Sequence, residues 1–438
     1  MNTPLSDYIQ KVCLSVNLED SQKFRSCITI NPGINEGTIR AHFPEPNDFD
    51  LHPIPEKFRN VVKSYLKLMK SVYIANSINA SFFDLNEMVN NLNRAADTQT
   101  NWINQPLINA CTELISVYQV RSKNFPEEEE MELSNLENNE YGNSSSSLER
   151  LAATINGSFK LSLNDKNLDL SQSKRLDIYF FLGNLIKIYF KLGKLELAKS
   201  VEKALKGTRF NLPKLNGAGS SKRYAVTYLY YSALLSLDDA DFTTSEEKLV
   251  KAMEILSCYK DPKNVKNQTE KILIILLPLK LYNKRLTPSN EIWEKFPKLK
   301  FMYKDNLFDA IKNGNLKKFD QALTKYQLIL LKNHLYLLFE MMKSLCYLKL
   351  VKKTVSIIHS LNSETKSHIV PLSAIQLALE FSTNDSYKES DKFAYNLDAV
   401  ECILANLISS GKIKGYLSHA NRCIVLSKAN AFPSLEYK

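Results

Sequence analysis

Three stretches of this chain carry residue types that catalysis or ligation would need. In NGAGSSKRY, Gly217, Gly219 and Lys222 resemble a phosphate-binding loop, where backbone N–H groups and a lysine cradle phosphates. That chemistry needs a glycine directly before the lysine, a Ser or Thr after it for the metal, and a strand leading in. Here Ser221 precedes Lys222 and Arg223 follows it, so a flexible turn ahead of Tyr224 is the plainer reading. His419 and Cys423 stand four apart, but they straddle an expected turn, and a zinc site would need two further ligands. His359 and His368 flank a polar stretch without an evident partner. Neither G-x-S-x-G nor H-E-x-x-H occurs. The chain is therefore expected to be no enzyme, with no metal and no cofactor.

Binding chemistry is left. The formal net charge is +10 and the isoelectric point about 9.0, so the surface attracts polyanions, nucleic acid or acidic protein alike. From Phe301 to Lys438 there are eighteen Lys plus Arg against twelve Asp plus Glu, which places more than half of the excess charge in the last third. Lys349, Lys352 and Lys353 form one cluster; Lys412, Lys414, Arg422 and Lys428 form another, with Tyr416 beside Lys414. Such lysines reach phosphates with little sequence information, and an exposed tyrosine stacks on an unpaired base. These eight residues are the expected nucleic-acid contacts, weak and indifferent to sequence. Against specific duplex readout, Leu397–Ser410 carries Asp398 and Glu401 and no Lys or Arg.

The elements that must position the second cluster lie in NLDAVECILANLISSGKIKGYLSHANRCIVLSKANAFP, Asn396 to Pro433. Asn396 can cap a helix, with Asp398 in the favourable first turn. Val400, Ile403, Leu404, Leu407 and Ile408 recur at helical spacing, and Gly411 is a stop. Two β-prone runs follow, Lys412–Ser418 and Arg422–Ser427, joined by a turn at His419, Ala420 and Asn421. A helix leading at once into a two-stranded ribbon is the second half of a winged helix.

The rest of the chain reads as helical. Only 12 glycines in 438 residues argue against α/β nucleotide folds. The seven cysteines are scattered, with no C-x-x-C pair, and suit core positions in a reducing compartment. No apolar leader is visible at the start, and the longest greasy run, Ile272–Leu279, is interrupted by Pro278. A soluble, intracellular protein with no membrane contact is expected. In order, Leu5–Leu18 is a small helix, His42–Pro55 an irregular connector with four prolines, and Lys57–Ala75 an amphipathic helix with Phe58, Val61, Val62, Tyr65, Leu66 and Met69 on one side. Phe82–Asn93 and Trp102–Val120 continue the pattern, giving an N-terminal helical region over 1–123. Residues 124–150, with Glu127–Glu130 and Ser144–Ser147, lack apolar surface and are expected to be disordered.

A helical-repeat body then covers 151–333. Leu176–Leu205 is helix, Gly193 turn, helix, with a tetratricopeptide-like G-x-L-x-x-A start. Tyr224–Leu237 pairs with Glu246–Cys258, Thr269–Tyr282 is expected to kink or end at Pro278, and Asp305–Asn313 with Asn315–Leu331 repeats the Gly314, Leu316, Ala322 pattern. The terminal part, 334–433, opens with Tyr336–Leu350 and Val351–Ser360. Pro371–Phe381 follows as a helix, Ser382–Lys392 is loop-like, and 434–438 is a tail. The expected class is all-α: a right-handed, tetratricopeptide-like α-solenoid ending in a winged helix with a small β-ribbon.

ILANLISSGKIKGYLSH followed by CIVLSKANAFP resembles the end of a PCI domain, the module shared by the proteasome lid, the COP9 signalosome and an initiation-factor complex. KILIILLPLKLYNKRLTP (Lys271–Pro288), LFDAIKNGNLKKFDQAL (Leu307–Leu323) and HLYLLFEMMKSLCYLKLVKKTV (His334–Val355) are similar to the branch that holds signalosome subunit 12 and the PCI subunit of the nuclear transcription-export complex. The chain departs from that pattern at Leu348 and Leu350 and at Ser409-Ser410. The resemblance implies pairing with a second PCI subunit through the winged helices. It also implies binding of a small acidic subunit shared with the proteasome lid, for which Lys271, Lys280, Lys284, Arg285, Lys317 and Lys318 are the expected docking face. It implies a non-catalytic scaffold subunit of a nuclear messenger-RNA complex acting in transcription elongation, splicing or export, located in nucleus and cytoplasm with the nucleus favoured. The alternative is a scaffold of a signalosome-type deneddylation complex.

Overall fold

The structure, a computed structural model, describes residues 4–126, 146–215, 222–259, 262–361, 368–383 and 395–433. Most of the expected acidic insertion, the Gly217–Gly219 turn, all but the start of the Ser382–Lys392 loop and the tail 434–438 lie outside the described residues. The chain divides into two compact units, one of residues 1–235 with 254–258, the other of 236–253 with 259–438. No helix among the described residues is long and apolar enough to cross a membrane.

The first unit is helical. It holds α1 (Pro4–Asn17), α2 (Ser21–Ile28), α3 (Ile34–Ala41), α4 (Glu56–Tyr73), α5 (Ile78–Ala96), α6 (Asn104–Asn124), α7 (Ser147–Leu163), α8 (Ile178–Lys191) and α9 (Leu195–Lys206). The apolar face read from α4 is its buried face: Phe58, Val61, Val62, Tyr65, Leu66 and Met69 are all at most 2% exposed. They pack against α5, whose N-terminus is capped by Ser77. The start of α7 falls where disorder was expected. Ser146 and Glu149 make a reciprocal capping box there, and Leu148 and Leu151 are buried one turn in. Polar residues that read as a solvated run are thus a helix signal once an apolar face follows. Gly193 turns α8 into α9 at φ +69°, and Ala198 is fully buried.

Two helices, α10 (Lys222–Asp238) and α11 (Phe242–Ser257), span the division between units. The second unit continues with α12 (Pro262–Lys284), α13 (Asn290–Lys295), a π-helical segment (Lys300–Phe308), α14 (Asp309–Asn313), α15 (Leu316–Lys332) and α16 (Tyr336–Leu361). Then come β1 (Ile369–Pro371), α17 (Leu372–Thr383), α18 (Leu397–Ser409), β2 (Gly415–Ser418) and β3 (Cys423–Leu426). α16 is one helix, not the expected two, since nothing between Leu350 and Val351 breaks it.

Pro278 neither ends nor stops α12, which runs six residues further. A proline has no N–H to give the carbonyl four residues back, here Ile274. The Tyr303 hydroxyl donates to that carbonyl instead, at 2.6 Å. Tyr303 is wholly buried, and burial pushes its phenol pKa well up. Its ring stacks on Phe308 (5.2 Å) and on Phe339 of α16 (6.0 Å). Tyr303 and Phe308 are five positions apart within the π-helical segment, the i→i+5 spacing of π-helical hydrogen bonds. Gly314 ends α14 at φ +70°, where a Cβ would meet the Leu350 backbone nitrogen at 2.9 Å, so this position requires glycine for both conformation and contact with α16.

The sheet has three strands in the order β1-β3-β2, all antiparallel. The two-stranded ribbon is correct for β2 and β3; β1 was missed because it is three residues long and ends in Pro371. An edge position tolerates a proline. Val370 and Ile424 lie opposite each other on the buried face, with Ile413 beneath the wing. α18 is capped as read, Asn396 Oδ1 accepting from the Ala399 N–H at 2.7 Å, and it buries Val400, Leu404 and Leu407.

We expect Tyr303→Phe to destabilise the second unit by about 1–2 kcal/mol, the cost of a carbonyl left without a donor. In a Pro278→Ala background the restored N–H takes over that carbonyl and the same substitution costs about 0.5 kcal/mol or less. A double-mutant cycle by urea unfolding measures the difference; equal costs in both backgrounds reject the link.

Candidate functional site

The wing carries an internal charge cluster. Arg422 lies at the β2–β3 turn at φ +47°, and its Nη1 donates to Asp398 Oδ1 at 2.7 Å and Glu401 Oε1 at 3.0 Å. His419 Nδ1 meets Glu401 Oε2 at 2.8 Å. Hydrogen bonding from His419, and then from Arg422, holds the Glu401 carboxyl below its ordinary range. Arg422, expected at a phosphate, is instead the tie between wing and α18. The acids that argued against duplex readout are its partners. Among the described residues no group of three or more His, Cys, Asp or Glu stands ready for a metal, and His419 is engaged by Glu401, not aimed with Cys423 at an ion.

The remaining expected contacts separate into two places. Lys414, Tyr416 and Lys428 are exposed on the wing. Lys349, Lys352 and Lys412 line a cleft of about 880 Å³ together with Arg285, Lys304 and Lys312. Lys412 Nζ donates to Ser344 Oγ at 2.6 Å, and Lys352 sits over the Phe432 ring at 5.9 Å. Lys353 turns the other way and donates to the Asn313 carbonyl at 2.7 Å, covering the end of α14.

The expected docking lysines are not equivalent either. Lys284 pairs with buried Glu246 at 2.8 Å and Lys318 with Asp309 at 2.6 Å. Arg285 donates to the carbonyls of Leu281 and Tyr282 at the end of α12. Lys271 is exposed and Lys280 half-buried on α12, while Lys317 is half-buried in the first turn of α15. Sequence reasoning missed Lys304, Lys312 and the apolar wall of the cleft, Trp293, Phe308 and Phe432. No linear spacing connects residues drawn from such separate segments.

The outer face of the sheet is apolar. Ile369, Val425 and Tyr416 lie directly opposite one another across all three strands. Ile369 is 54% and Tyr416 63% exposed. β1 and β2 are the outer strands of this sheet, with β3 between them.

Residues 323–428 match the PCI domain. The chain is 31% identical over 293 residues to a protein CSN12 homolog of Yarrowia lipolytica, covering 66% of this chain and 67% of that one. The chain belongs to the PCI-domain family. This PCI protein is also 31% identical to PCI domain-containing protein 2 of Xenopus laevis, over 66% of its own length and 65% of that relative's. It is 29% identical to Cop9 signalosome complex subunit 12 of Saccharomyces cerevisiae, over 80% and 79% of the two chains. PCI domains are components of multisubunit assemblies. The expectation of a messenger-RNA complex is corrected by these relatives: two carry CSN12 or signalosome subunit 12 names, and the one whose name states an assembly states the signalosome. Of the four cations expected in the cluster of Lys412, Lys414, Arg422 and Lys428, Arg422 is paired with Asp398 and Glu401 of the chain itself.

The wing tie is expected to be acid-sensitive. Because the Glu401 pKa is lowered in the folded chain, the contact is fully present above the ordinary glutamate range, about 4.3, and is lost as pH falls through the lowered value. Hydrogen-exchange protection of residues 419–422 should fall on acidification. In Glu401→Gln it should already be low at neutral pH; unchanged protection in that variant rejects the tie.

Proposed function

We propose that the chain is a non-catalytic scaffold or accessory subunit of a COP9 signalosome-type deneddylation complex, joined to a second PCI-domain subunit through its winged helix. The observation that carries this reading is the apolar Ile369–Val425–Tyr416 row across the outer face of the sheet, with Ile369 and Tyr416 exposed. Apolar side chains of that size on a wing gain free energy by burial against a partner, about 25 cal/mol per Å². Tyr416 is thereby an interface residue with its ring on the row and its hydroxyl at the rim, as tyrosines at interfaces commonly are. The small acidic subunit shared with the proteasome lid belongs to the same proposal. Lys271 and Lys280 are the favoured contacts for it, since Lys284 and Lys318 already hold carboxylates. Work in both nucleus and cytoplasm, with the nucleus favoured, completes the reading.

Affinity purification of the tagged full chain at moderate salt, read by mass spectrometry, tests it. The expected result is co-purification of another PCI subunit and of the complex's metalloprotease. Ile369→Asp with Tyr416→Asp should reduce recovery of the PCI partner about tenfold or more while leaving the circular dichroism spectrum unchanged. Purification that returns no signalosome-type subunit, or returns them equally with the double variant, refutes the membership or the interface respectively.

A further inference from the structure

The cleft at the end of α12 has no role in the assembly just described. Its volume, about 880 Å³, falls in the range of small-ligand sites. Its cations converge from four segments: Arg285 after α12, Lys304 and Lys312 from the π-helical segment and α14, Lys349 and Lys352 from α16, and Lys412 after α18. Asp305 and Asp309 are the acids on its wall, and Asp309 already holds Lys318. Among the described residues the five lysines form no ion pair. Lys304 donates to Asn290 at 3.0 Å, Lys412 donates to Ser344, and Lys352 rests on the Phe432 ring.

Two features mark this as a built site. Lys412 is half-buried, and burial first, then repulsion by Arg285, pushes its ammonium pKa down. An anion between the two relieves both effects. Arg285 holds φ +58° just past the helix end, where glycine is the usual residue. A bulky side chain is retained there against its steric preference, with its guanidinium 5.8 Å from the Tyr282 ring. The buried Trp293 and Phe308 form an apolar wall behind these charges, and an apolar wall strengthens any charge contact beside it.

We propose that this cleft binds a small organic molecule carrying two or more phosphate groups, with the phosphates held by Arg285, Lys349, Lys352 and Lys412 and the organic part against Trp293 and Phe308. Compact, multiple negative charge is what convergent cations around one volume select. The carboxylates of an acidic peptide are spread along a chain and call for a line of cations instead.

Calorimetric titration of the full chain with tripolyphosphate at low salt tests the proposal. Saturable binding is expected, weakened about tenfold or more by Lys412→Gln and by the double variant Lys349→Gln with Lys352→Gln, and unchanged by Lys332→Gln outside the cleft. The double variant alters one exposed and one half-buried helix lysine, so it tests the site even if Lys412→Gln fails to fold. Vesicles containing phosphatidylinositol bisphosphate and soluble inositol trisphosphate distinguish a lipid headgroup from a free phosphate ligand; binding of either through these lysines supports the site. Absence of saturable binding, or binding indifferent to the variants, overturns it. So does a polyglutamate peptide that binds more tightly than tripolyphosphate and is lost in the same variants. None of these outcomes depends on membership of the signalosome.

Discussion

A carbonyl without its usual donor organises the second unit. Pro278 sits inside α12 and leaves the Ile274 oxygen unclaimed, and Tyr303 reaches across to take it. That single donation ties the π-helical segment to α12. The stacking of Tyr303 on Phe308 and Phe339 then fixes the same segment to α16. Three elements are locked together by one tyrosine. The far end of α12 therefore carries Arg285 to the same place as Lys304, Lys312 and Lys349.

Charge in this unit is allocated, and residue type does not reveal the allocation. Arg422, Lys284 and Lys318 each hold a carboxylate of the chain itself, and Lys353 covers a helix end. Their positive charge is largely consumed in positioning. Lys349, Lys352 and Lys412 are not so consumed, and they face one cleft. A net excess of basic residues in the last third is thus a mixture of structural ties and available cations.

The winged helix shows the same division between face and edge. Its inner side follows from ordinary burial: Val400, Leu404 and Leu407 of α18 and Val370 and Ile424 of the sheet are all at most 2% exposed. Its outer side keeps a row of large apolar residues in solvent. An isolated soluble domain gains nothing from such a row. A subunit of a larger assembly does, which is the role proposed for this chain.

What the sequence determined by itself was local. The spacing of Phe58, Val61, Val62, Tyr65 and Leu66 specifies a helix and its buried side, and Asn396, Gly411 and two β-prone runs specify a helix and hairpin, because these signals act within a few residues. Short elements escaped: β1 is three residues long, and the cap of α7 was hidden in a polar run. Tertiary structure alone decided which lysines are spent and which are available. It also let Pro278 stay inside a helix and added a third strand to the ribbon. Each of these depends on a partner distant in sequence, as Tyr303 is from Ile274 or Glu401 from Arg422, and no pattern along the chain records a distance in space.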